Sequence, residues 1–257
     1  MTINREEQSG VAIVRLARPE KRNALTRDML ERLWEVFDAF KERDDLRAAI
    51  LTGEGDSFSA GTDITGLAAL SETEARKAAE LGQRVCAVIE SCPVPVIAAI
   101  GGVAAGGGCE LALACHLRVA WSGARFSLPE LKLGLIPAYG GTQKLARAAG
   151  GARALAMMLA GETVTADEAL RAGLVNRVVK SSDEVLPEAI RLAGEIMRHA
   201  PLAVRAALIA VTRGLDMPLD DGLRLEAELF SQLFSTEDMR EGTRAFLEKR
   251  APVFKGK

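Results

Sequence analysis

The pattern of apolar and polar positions divides the first part of the chain into short buried runs and amphipathic stretches. Residues 94–100 form a continuous apolar run, VPVIAAI, which is typical of an interior strand in a sheet covered on both faces. Thr26 is a favourable helix N-cap, and apolar residues then recur at helical spacing, which predicts an amphipathic helix over residues 27–43. The sequence SETE at residues 71–74 matches a capping box and predicts a second helix that reaches to about residue 90.

The remaining elements continue this alternation as far as residue 179, after which the pattern changes. Further strands are predicted over residues 2–8, 11–16, 48–52, 117–121, 125–128 and 174–179, and further helices over residues 109–115, 141–149, 152–160 and 165–172. Beyond residue 182 only helical periodicity remains, over residues 183–199, 201–213, 218–235 and 237–249. We therefore predict an α/β core over residues 1–182 and an all-helical subdomain over residues 183–257.

The predicted helix over residues 218–235 carries more apolar residues than one buried helix face requires. These residues are Leu223, Leu225, Leu229, Phe230, Leu233 and Phe234. The surplus leaves two interpretations open, namely packing against the chain's own core or contact with another subunit.

The densest group of glycines lies between the strand over residues 94–100 and the helix that follows. Residues 101–108 read GGVAAGGG, so residues 106–108 should supply the first N–H groups of the helix, which have no intrahelical acceptor and attract negative charge. The dinucleotide motif GxGxxG does not fit these glycines, and the phosphate-loop motif fails because Gly108 stands where that motif has lysine. The glycines therefore serve neither of these phosphate-binding motifs.

Composition narrows the classes of function. The chain has 257 residues, 48% of them hydrophobic, with 33 Lys and Arg against 35 Asp and Glu. The resulting net charge of −2 gives no global positive field for nucleic acid or an anionic membrane. The four cysteines lack paired metal or redox spacing, and we expect them to be reduced and buried. No apolar run approaches the roughly 20 residues that span a bilayer, and residues 1–7 lack a signal-peptide core, so we expect a cytoplasmic protein.

Two glutamates stand out as candidate catalytic groups because their neighbours are apolar. Glu110 falls in the first turn of the helix after the glycines, and Glu130 follows a predicted strand and a proline. A buried carboxylate needs a partner or a raised pKa, and two such carboxylates in one pocket can divide acid and base work.

Other kinds of catalytic group are less well supported. Of the two histidines, His116 follows a helix and is expected to cap or pack, and His199 is expected near an exposed helix end. The serines Ser57 and Ser59 lack a nucleophile-elbow motif or an evident His-Asp pair. The histidines lie far apart and no carboxylates cluster, so no metal site is expected.

Seven segments, in order along nearly the whole chain, resemble motifs of the crotonase superfamily, and of its enoyl-CoA hydratases in particular. They are PEKRNAL at residues 19–25, FSAGTDI at 58–64, GVAAGGGCEL at 102–111, FSLPE at 126–130, GLIPAYGGTQ at 134–143, ALRAGLV at 169–175 and FLEKR at 246–250. The resemblance implies an α/β fold built as a spiral of ββα units, with a C-terminal all-helical subdomain for oligomerisation.

The resemblance also implies the roles of the central residues. The backbone N–H groups of Thr62 and Gly107 would form an oxyanion hole for the thioester oxygen. Glu110 would activate water for attack at Cβ, and Glu130 would hold that water and deliver a proton to Cα. No metal or redox cofactor is implied, because coenzyme A is part of the substrate.

Contacts with coenzyme A are implied at both ends of the chain. The coenzyme would lie along Arg22 and Ala24, with its adenine near the backbone of Ala60, Asp63 and Ile64. Phe246 and Lys249 resemble a pair that reaches the nucleotide from a neighbouring subunit, in a homo-oligomer that is a trimer or a dimer of trimers. Tyr139 stands where many members have a small residue, and we expect it to shorten or reshape the acyl pocket.

The leading hypothesis is therefore an enoyl-CoA hydratase that adds water syn to a trans-2-enoyl-CoA and forms a 3-hydroxyacyl-CoA, as in fatty-acid or related acyl-CoA degradation. The alternatives within the superfamily are isomerisation, decarboxylation, or hydration of a branched or cyclic enoyl-CoA. An alternative of another class is a non-catalytic protein that binds a CoA thioester or RNA, and the net charge of −2 argues against RNA.

Overall fold

The computed structural model describes residues 2–257, so Met1, with which the predicted core begins, lies outside the described residues. The strands are β1 Ile3–Gln8, β2 Val11–Leu16, β3 Ala48–Gly53, β4 Ser57–Ser59, β5 Val96–Ile100, β6 Val103–Ala105, β7 Leu117–Trp121, β8 Arg125–Ser127, β9 Val164–Thr165 and β10 Arg177–Val179. The helices are α1 Arg27–Asp38, α2 Glu72–Glu90, α3 Gly107–Ala114, α4 Gly141–Ala149, α5 Gly151–Leu159, α6 Ala166–Arg171, α7 Val185–Ile196, α8 Pro201–Gly214, α9 Leu219–Leu233 and α10 Glu237–Leu247.

The strands form two sheets. Successive pairs of strands along the chain contribute one strand to each sheet. The larger sheet has the order β1-β2-β3-β5-β7-β10, and the smaller has the order β4-β6-β8-β9. The pairs β3/β4, β5/β6 and β7/β8 each place their first strand in the larger sheet and their second in the smaller one. Their neighbours within each sheet are parallel, and this is the predicted spiral of strand pairs and helices.

The centre of the larger sheet is buried on both faces, as the apolar run over residues 94–100 predicts. All five residues of β5 are fully buried. Val96, Ala98 and Ile100 belong to the main hydrophobic core, whereas Ile97 and Ala99 belong to the core on the opposite face, to which α7 contributes. Strand alternation thus divides β5 between the two cores.

Several element boundaries differ from the sequence prediction. The helix predicted over residues 27–43 begins after its N-cap, with Thr26 Oγ1 accepting a hydrogen bond from Met29 N at 3.2 Å, but its α-helical part ends at Asp38. A 3₁₀ turn, Ala39–Glu42, continues it and buries Phe40. The strand predicted over residues 174–179 is shorter, and the two-residue strand β9 was not predicted.

The four predicted C-terminal helices are all present, and they differ in burial. Helix α7 packs on the larger sheet through buried residues that include Val185 and Leu192. Helices α8 and α9 contain no buried residue in the single chain and expose apolar side chains, among them Leu215, Leu219, Leu223, Phe230 and Phe234. Within residues 2–257, none of the helices combines the length and the apolar character needed to cross a membrane.

Candidate active site

Helix α3 begins at the glycine run, with Gly106 as its N-cap and Gly107 as its first residue. A Cβ at Gly106, whose φ is 50°, would lie 2.8 Å from Glu130 Oε1. A Cβ at Gly107 would lie 2.9 Å from Thr62 Oγ1 and 2.8 Å from Tyr139 Cε2. Both positions therefore require glycine, because the space of a side chain is already taken by groups of the candidate site.

Two backbone N–H groups at this corner have no acceptor in the part of the chain that the structure describes. The segment after β4 pairs with the loop before α1, where Leu25 N donates to Gly61 O at 2.7 Å and Asp63 N donates to Leu25 O at 2.8 Å. This pairing leaves the intervening N–H of Thr62 without an acceptor among residues 2–257, and the N–H of Gly107, in the first turn of α3, also has none there. Unpaired donors of this kind can bind an oxygen that carries negative charge.

Glu110 lies in the first turn of α3 and is only 1% exposed. Its Oε1 accepts hydrogen bonds from Tyr139 N at 2.8 Å and from Gly141 N at 2.6 Å. Burial raises the pKa of Glu110 to about 7, the Gly141 N–H partly opposes that rise, and the nearby charge of Glu130 adds to it. This pKa suits a group that accepts and returns a proton near neutral pH.

Glu130 follows β8 and Pro129 and begins the 3₁₀ turn Glu130–Leu133. Its Oε2 is buried and has no hydrogen-bond partner among residues 2–257. Burial raises the pKa of Glu130 above its ordinary value, which favours its protonated form. The charge of Glu130 also raises the pKa of Glu110, so ionisation of Glu130 disfavours ionisation of Glu110.

Tyr139 belongs to the turn that precedes α4 and joins the parts of this site. Its backbone N–H binds Glu110, while Thr62 Oγ1 donates a hydrogen bond to its hydroxyl oxygen at 3.0 Å. Gln83 of α2 donates from Nε2 to Ala138 O at 3.0 Å and secures the same turn. The structure thus brings together five of the predicted site residues, namely Thr62, Gly107, Glu110, Glu130 and Tyr139.

The residues predicted to bind coenzyme A near the N-terminus also form one cluster. The carbonyl of Arg22 accepts a hydrogen bond from Ala60 N at 2.8 Å, and Ala24 O accepts one from Arg18 Nη1 at 3.1 Å. The same Arg18 nitrogen lies 2.5 Å from Asp63 Oδ2, and this guanidinium holds the pKa of Asp63 well below its usual value. The cluster continues into Ile64, which is 61% exposed.

Phe246 and Lys249 lie apart from this cluster in the single chain. Phe246 is on α10 with 84% of its surface exposed, and Lys249 follows the helix with a φ of 54°. Within residues 2–257, no hydrogen bond or ion pair links either side chain to residues 22–24 or 60–64. Their predicted role in a neighbouring subunit's site remains a prediction.

Some residues that shape the site were not singled out from the sequence. Asn23 is fully buried and its amide binds Arg18 N, Glu54 O and Ser57 O at 2.8–2.9 Å, which holds the loop before α1. The sequence signal for Asn23 was its position within the segment PEKRNAL at residues 19–25. Gly82 and Gln83 on α2 contact the turn at residues 138–139 across more than 50 positions, and no local pattern indicated that contact.

The fold of this chain is closely similar to that of solved structures. An enoyl-CoA hydratase from Bacillus anthracis shares 37% sequence identity with the chain, covers 100% of both chains and gives a TM-score of 0.95. The chain therefore has the crotonase fold, with two mixed sheets and C-terminal helices. The chain belongs to the enoyl-CoA hydratase/isomerase family, whose model matches residues 6–257.

Relatives of similar identity differ in the substrates for which they are named. A crotonyl-CoA hydratase of Syntrophomonas wolfei is 42% identical over 97% of this chain and 96% of its own length. A 2,3-dehydroadipyl-CoA hydratase of Escherichia coli is 41% identical over 97% of each. The family implies an acyl-CoA substrate, and identity at this level does not select the acyl group.

Proposed function

We propose that this protein is an enoyl-CoA hydratase, which adds water syn to a trans-2-enoyl-CoA and forms a 3-hydroxyacyl-CoA. One observation carries the proposal: the buried carboxylate of Glu110 and the half-buried carboxylate of Glu130, whose Oε2 is buried, lie at the same corner as the N–H groups of Thr62 and Gly107, which have no acceptor among residues 2–257. This combination supplies both the proton transfers and the stabilisation of negative charge that the hydration of a conjugated thioester requires.

In the proposed reaction, the thioester oxygen accepts hydrogen bonds from Thr62 N and Gly107 N. As water adds to Cβ, the electrons of the double bond move toward the carbonyl, and negative charge develops on that oxygen. A single donor of this type typically contributes about 2.7–4 kcal/mol to transition-state stabilisation. The backbone supplies these donors, and glycine at position 107 allows the thioester to approach them closely.

The two glutamates would divide the proton transfers. Glu110, as the carboxylate, takes a proton from water while the water oxygen bonds to Cβ. Glu130, in its protonated form, hydrogen-bonds that water and gives a proton to Cα. One H₂O is thereby added across the double bond, and the carboxylates have exchanged a proton that solvent returns. The raised pKa values of both groups support their use in proton transfer, and the division of roles between them follows the family resemblance.

We further propose that the coenzyme lies along Arg22 and Ala24, beside the segment of Ala60, Asp63 and Ile64. The exposure of Phe246 supports a contact completed by a second copy of the chain. In this proposal residues 1–182 carry the site, and the helical segment after residue 182 mediates assembly, chiefly through the exposed apolar side chains of α8 and α9.

The presence of both carboxylates favours hydration over isomerisation, which requires one group to move a proton between two carbons. The relatives named for crotonyl-CoA and for 2,3-dehydroadipyl-CoA are both hydratases, which supports the same reaction type while leaving the acyl group open. Decarboxylation and hydration of branched or cyclic substrates would be distinguished by NMR identification of the products.

The direct test is hydration of crotonyl-CoA, followed as loss of the conjugated enoyl absorbance. We expect turnover without any added metal or redox cofactor and formation of 3-hydroxybutanoyl-CoA, with syn addition verified by NMR after reaction in D₂O. If no trans-2-enoyl-CoA of short or medium chain length is hydrated, the proposed function is wrong.

The two carboxylates provide a second test. Because general acid–base catalysis contributes roughly 10²–10⁴-fold, Glu110→Gln and Glu130→Gln should each lower kcat by at least about 100-fold. Binding of a saturated acyl-CoA should change little, since neither substitution alters the backbone donors. Glu162→Gln is the matched control, because Glu162 is exposed and pairs only with Arg153 at the surface. Rates near wild type in either site variant would contradict the assignment.

A further inference from the structure

The side chain of Tyr139 is enclosed by backbone from two separate helices. It is 5% exposed, and its ring lies against Gly82 of α2, where an added Cβ would come within 1.9 Å of Cδ1. The opposite edge of the ring lies against Gly107 of α3, at 2.8 Å from the position of a Cβ there. The ring therefore fills a slot that exists only because both flanking positions are glycine.

A cavity of about 710 Å³ adjoins this ring, between the first turns of α1 and the face of α2, and one of its walls is apolar while charged side chains, among them Arg27, Glu31 and Lys77, line the rest. Its apolar wall consists of Leu25, Leu30, Leu67, Leu70, Ala78 and Leu81. Thr62 and Tyr139 also line the cavity, whereas Gly107, Glu110 and Glu130 do not. Tyr139 thus contacts the Glu110 carboxylate through its backbone N–H and lines the cavity, where the apolar wall lies, with its side chain.

We propose that the Tyr139 ring, seated between Gly82 and Gly107, is a wall between the catalytic corner and this cavity, and that it restricts the enzyme to short acyl chains. The inference rests on the proposed function, since it concerns the acyl group of that substrate. An acyl chain whose carbonyl oxygen is held by Thr62 and Gly107 has its first carbons beside this ring. Carbons further along a longer chain need an apolar compartment, and the leucine-lined cavity lies behind the ring.

The ring is held in place by contacts on several sides. The Thr62 hydroxyl binds its phenolic oxygen, and the Gln83 amide fixes the preceding carbonyl. Moving the ring away from Gly107 is opposed by the backbone at Gly82, which it already touches. Displacement by a long acyl chain would break the hydrogen bond to Thr62 and push the ring into a packed helix, so long chains should be strongly disfavoured.

The test compares kcat/KM for trans-2-enoyl-CoA substrates of 4, 6, 8 and 10 carbons in wild type and two variants. We expect wild type to prefer the four-carbon over the ten-carbon substrate by at least about tenfold, in the range that pocket shape supplies. Tyr139→Ala removes the ring and should shift that ratio by at least about tenfold toward the long chain. Tyr139→Phe keeps the ring and should retain the wild-type ratio within about threefold.

The ratio of kcat/KM between substrates, taken within each variant, separates an effect on the acyl pocket from a general loss of activity. All four substrates contain the same coenzyme and react at the same two carboxylates, so a general loss affects them equally. If Tyr139→Ala does not fold, Tyr139→Leu shortens the same side chain while keeping apolar packing. Calorimetric dissociation constants for butanoyl-CoA and decanoyl-CoA give the same comparison without catalysis. The inference is wrong if wild type uses ten carbons as well as four, if ring removal leaves the ratio unchanged, or if Tyr139→Phe shifts it as far as Tyr139→Ala.

These outcomes differ from failure of the proposed function. Failure of the function means that wild type hydrates none of the four substrates. The proposed role of the Tyr139 ring is then still tested by the dissociation constants of butanoyl-CoA and decanoyl-CoA. The ratio of these two constants should shift by at least about tenfold in favour of decanoyl-CoA in Tyr139→Ala compared with wild type.

Discussion

The side-chain carboxyl group of Glu110 lies in surroundings that favour its neutral form. Burial raises its pKa from 4.5 to about 7, even though two N–H groups bind its Oε1. Between those two pH values the folded chain retains a proton that the unfolded chain has released. The free energy of unfolding therefore falls as pH rises from 4.5 to 7, and this destabilisation persists at higher pH.

Glu110→Gln should accordingly stabilise the fold in neutral and alkaline solution while it abolishes activity. The amide keeps an oxygen to accept the N–H groups of Tyr139 and Gly141 but has no proton to lose. The shift of the pKa to about 7 corresponds to a gain on the order of 3 kcal/mol at pH 8. Urea unfolding at pH 5, 6, 7 and 8, at one protein concentration, measures it.

The gain from Glu110→Gln should shrink as the pH falls and vanish well below pH 4.5, where the folded and the unfolded chain both keep the Glu110 proton, and the surface control Glu162→Gln should show no such trend. A variant that is less stable than wild type at pH 8, or whose advantage does not change with pH, would contradict the raised pKa.

The sequence predicted the roles of individual site residues to different degrees. Glu110 and Glu130 stood out because charged residues in apolar stretches need an explanation. The role of Gly82 in accommodating Tyr139 was not foreseeable, because it depends on a contact between residues 57 positions apart. Likewise, Arg18 gave no sign in the sequence that it would pair with Asp63.

Among the elements, α3 determines the geometry of the site through its N-terminus. The helix begins at Gly107, whose N–H has no acceptor among residues 2–257, and three residues later it carries the buried carboxylate of Glu110. Because residues 107 and 110 share one helical turn, the donor and the carboxylate keep a constant separation. Any group that displaces the first residue of α3 therefore disturbs both functions together.

Gly107→Ala tests this dependence. Its Cβ would meet Tyr139 and Thr62 at less than 3 Å, so the start of the helix must shift and the oxyanion donor with it. We expect kcat on crotonyl-CoA to fall by about 100-fold or more, comparable to removal of one oxyanion donor. Gly151→Ala is the matched control, since Gly151 is also the first residue of a helix after a glycine N-cap but has open space around its Cα.

The control should retain wild-type kcat and stability, because nothing lies within 4 Å of the added methyl group. Equal rates in Gly107→Ala and wild type would show that the first turn of α3 is not where the substrate's oxygen binds.

Helices and long strands were predictable at this scale because their apolar periodicity extends over many residues, as in α2 with its capping box at Ser71 and Glu74. The two residues of β9 are too few to carry a period, and they pair with β8 only through the tertiary fold. The end of α1 also depended on context, because apolar spacing continues into the 3₁₀ turn that buries Phe40.

For the whole molecule, the most telling feature is the apolar surface of the helical tail. Phe230 and Phe234 form an edge-to-face pair at 5.1 Å on α9, and they are 63% and 53% exposed. Leu215, in the connection after α8, and Leu219 and Leu223 of α9 are exposed as well. Large apolar side chains exposed together in this number are typical of a protein–protein interface.

A charge introduced at this surface by substitution should therefore dissociate the predicted homo-oligomer. Phe230→Asp places a carboxylate among apolar partners, and we expect light scattering with size exclusion to show a smaller species at micromolar concentration. Leu159→Asp on α5 is the control, since Leu159 is similarly exposed, at 67%, but lies outside the tail. If wild type is itself monomeric, or Phe230→Asp assembles normally, the surface has another role.

The α/β core with a helical tail was predictable at the scale of the whole molecule, because the alternation of strands and helices gives way to helices alone after residue 182. The seven family motifs then implied the spiral. The sequence did not indicate that α7 packs on the larger sheet, because its apolar pattern resembles that of the other tail helices. In the structure its buried face includes Val185 and Leu192.

The turn at Tyr139 has an evolutionary consequence. Its N–H holds the carboxylate of Glu110, and every amino acid except proline provides that group. The side chain at the same position lines the cavity between α1 and α2. If Tyr139 has the role proposed above, a single codon can alter the range of substrates while Glu110 keeps its hydrogen bond, so descendants of this gene could diversify in substrate without first losing the reaction.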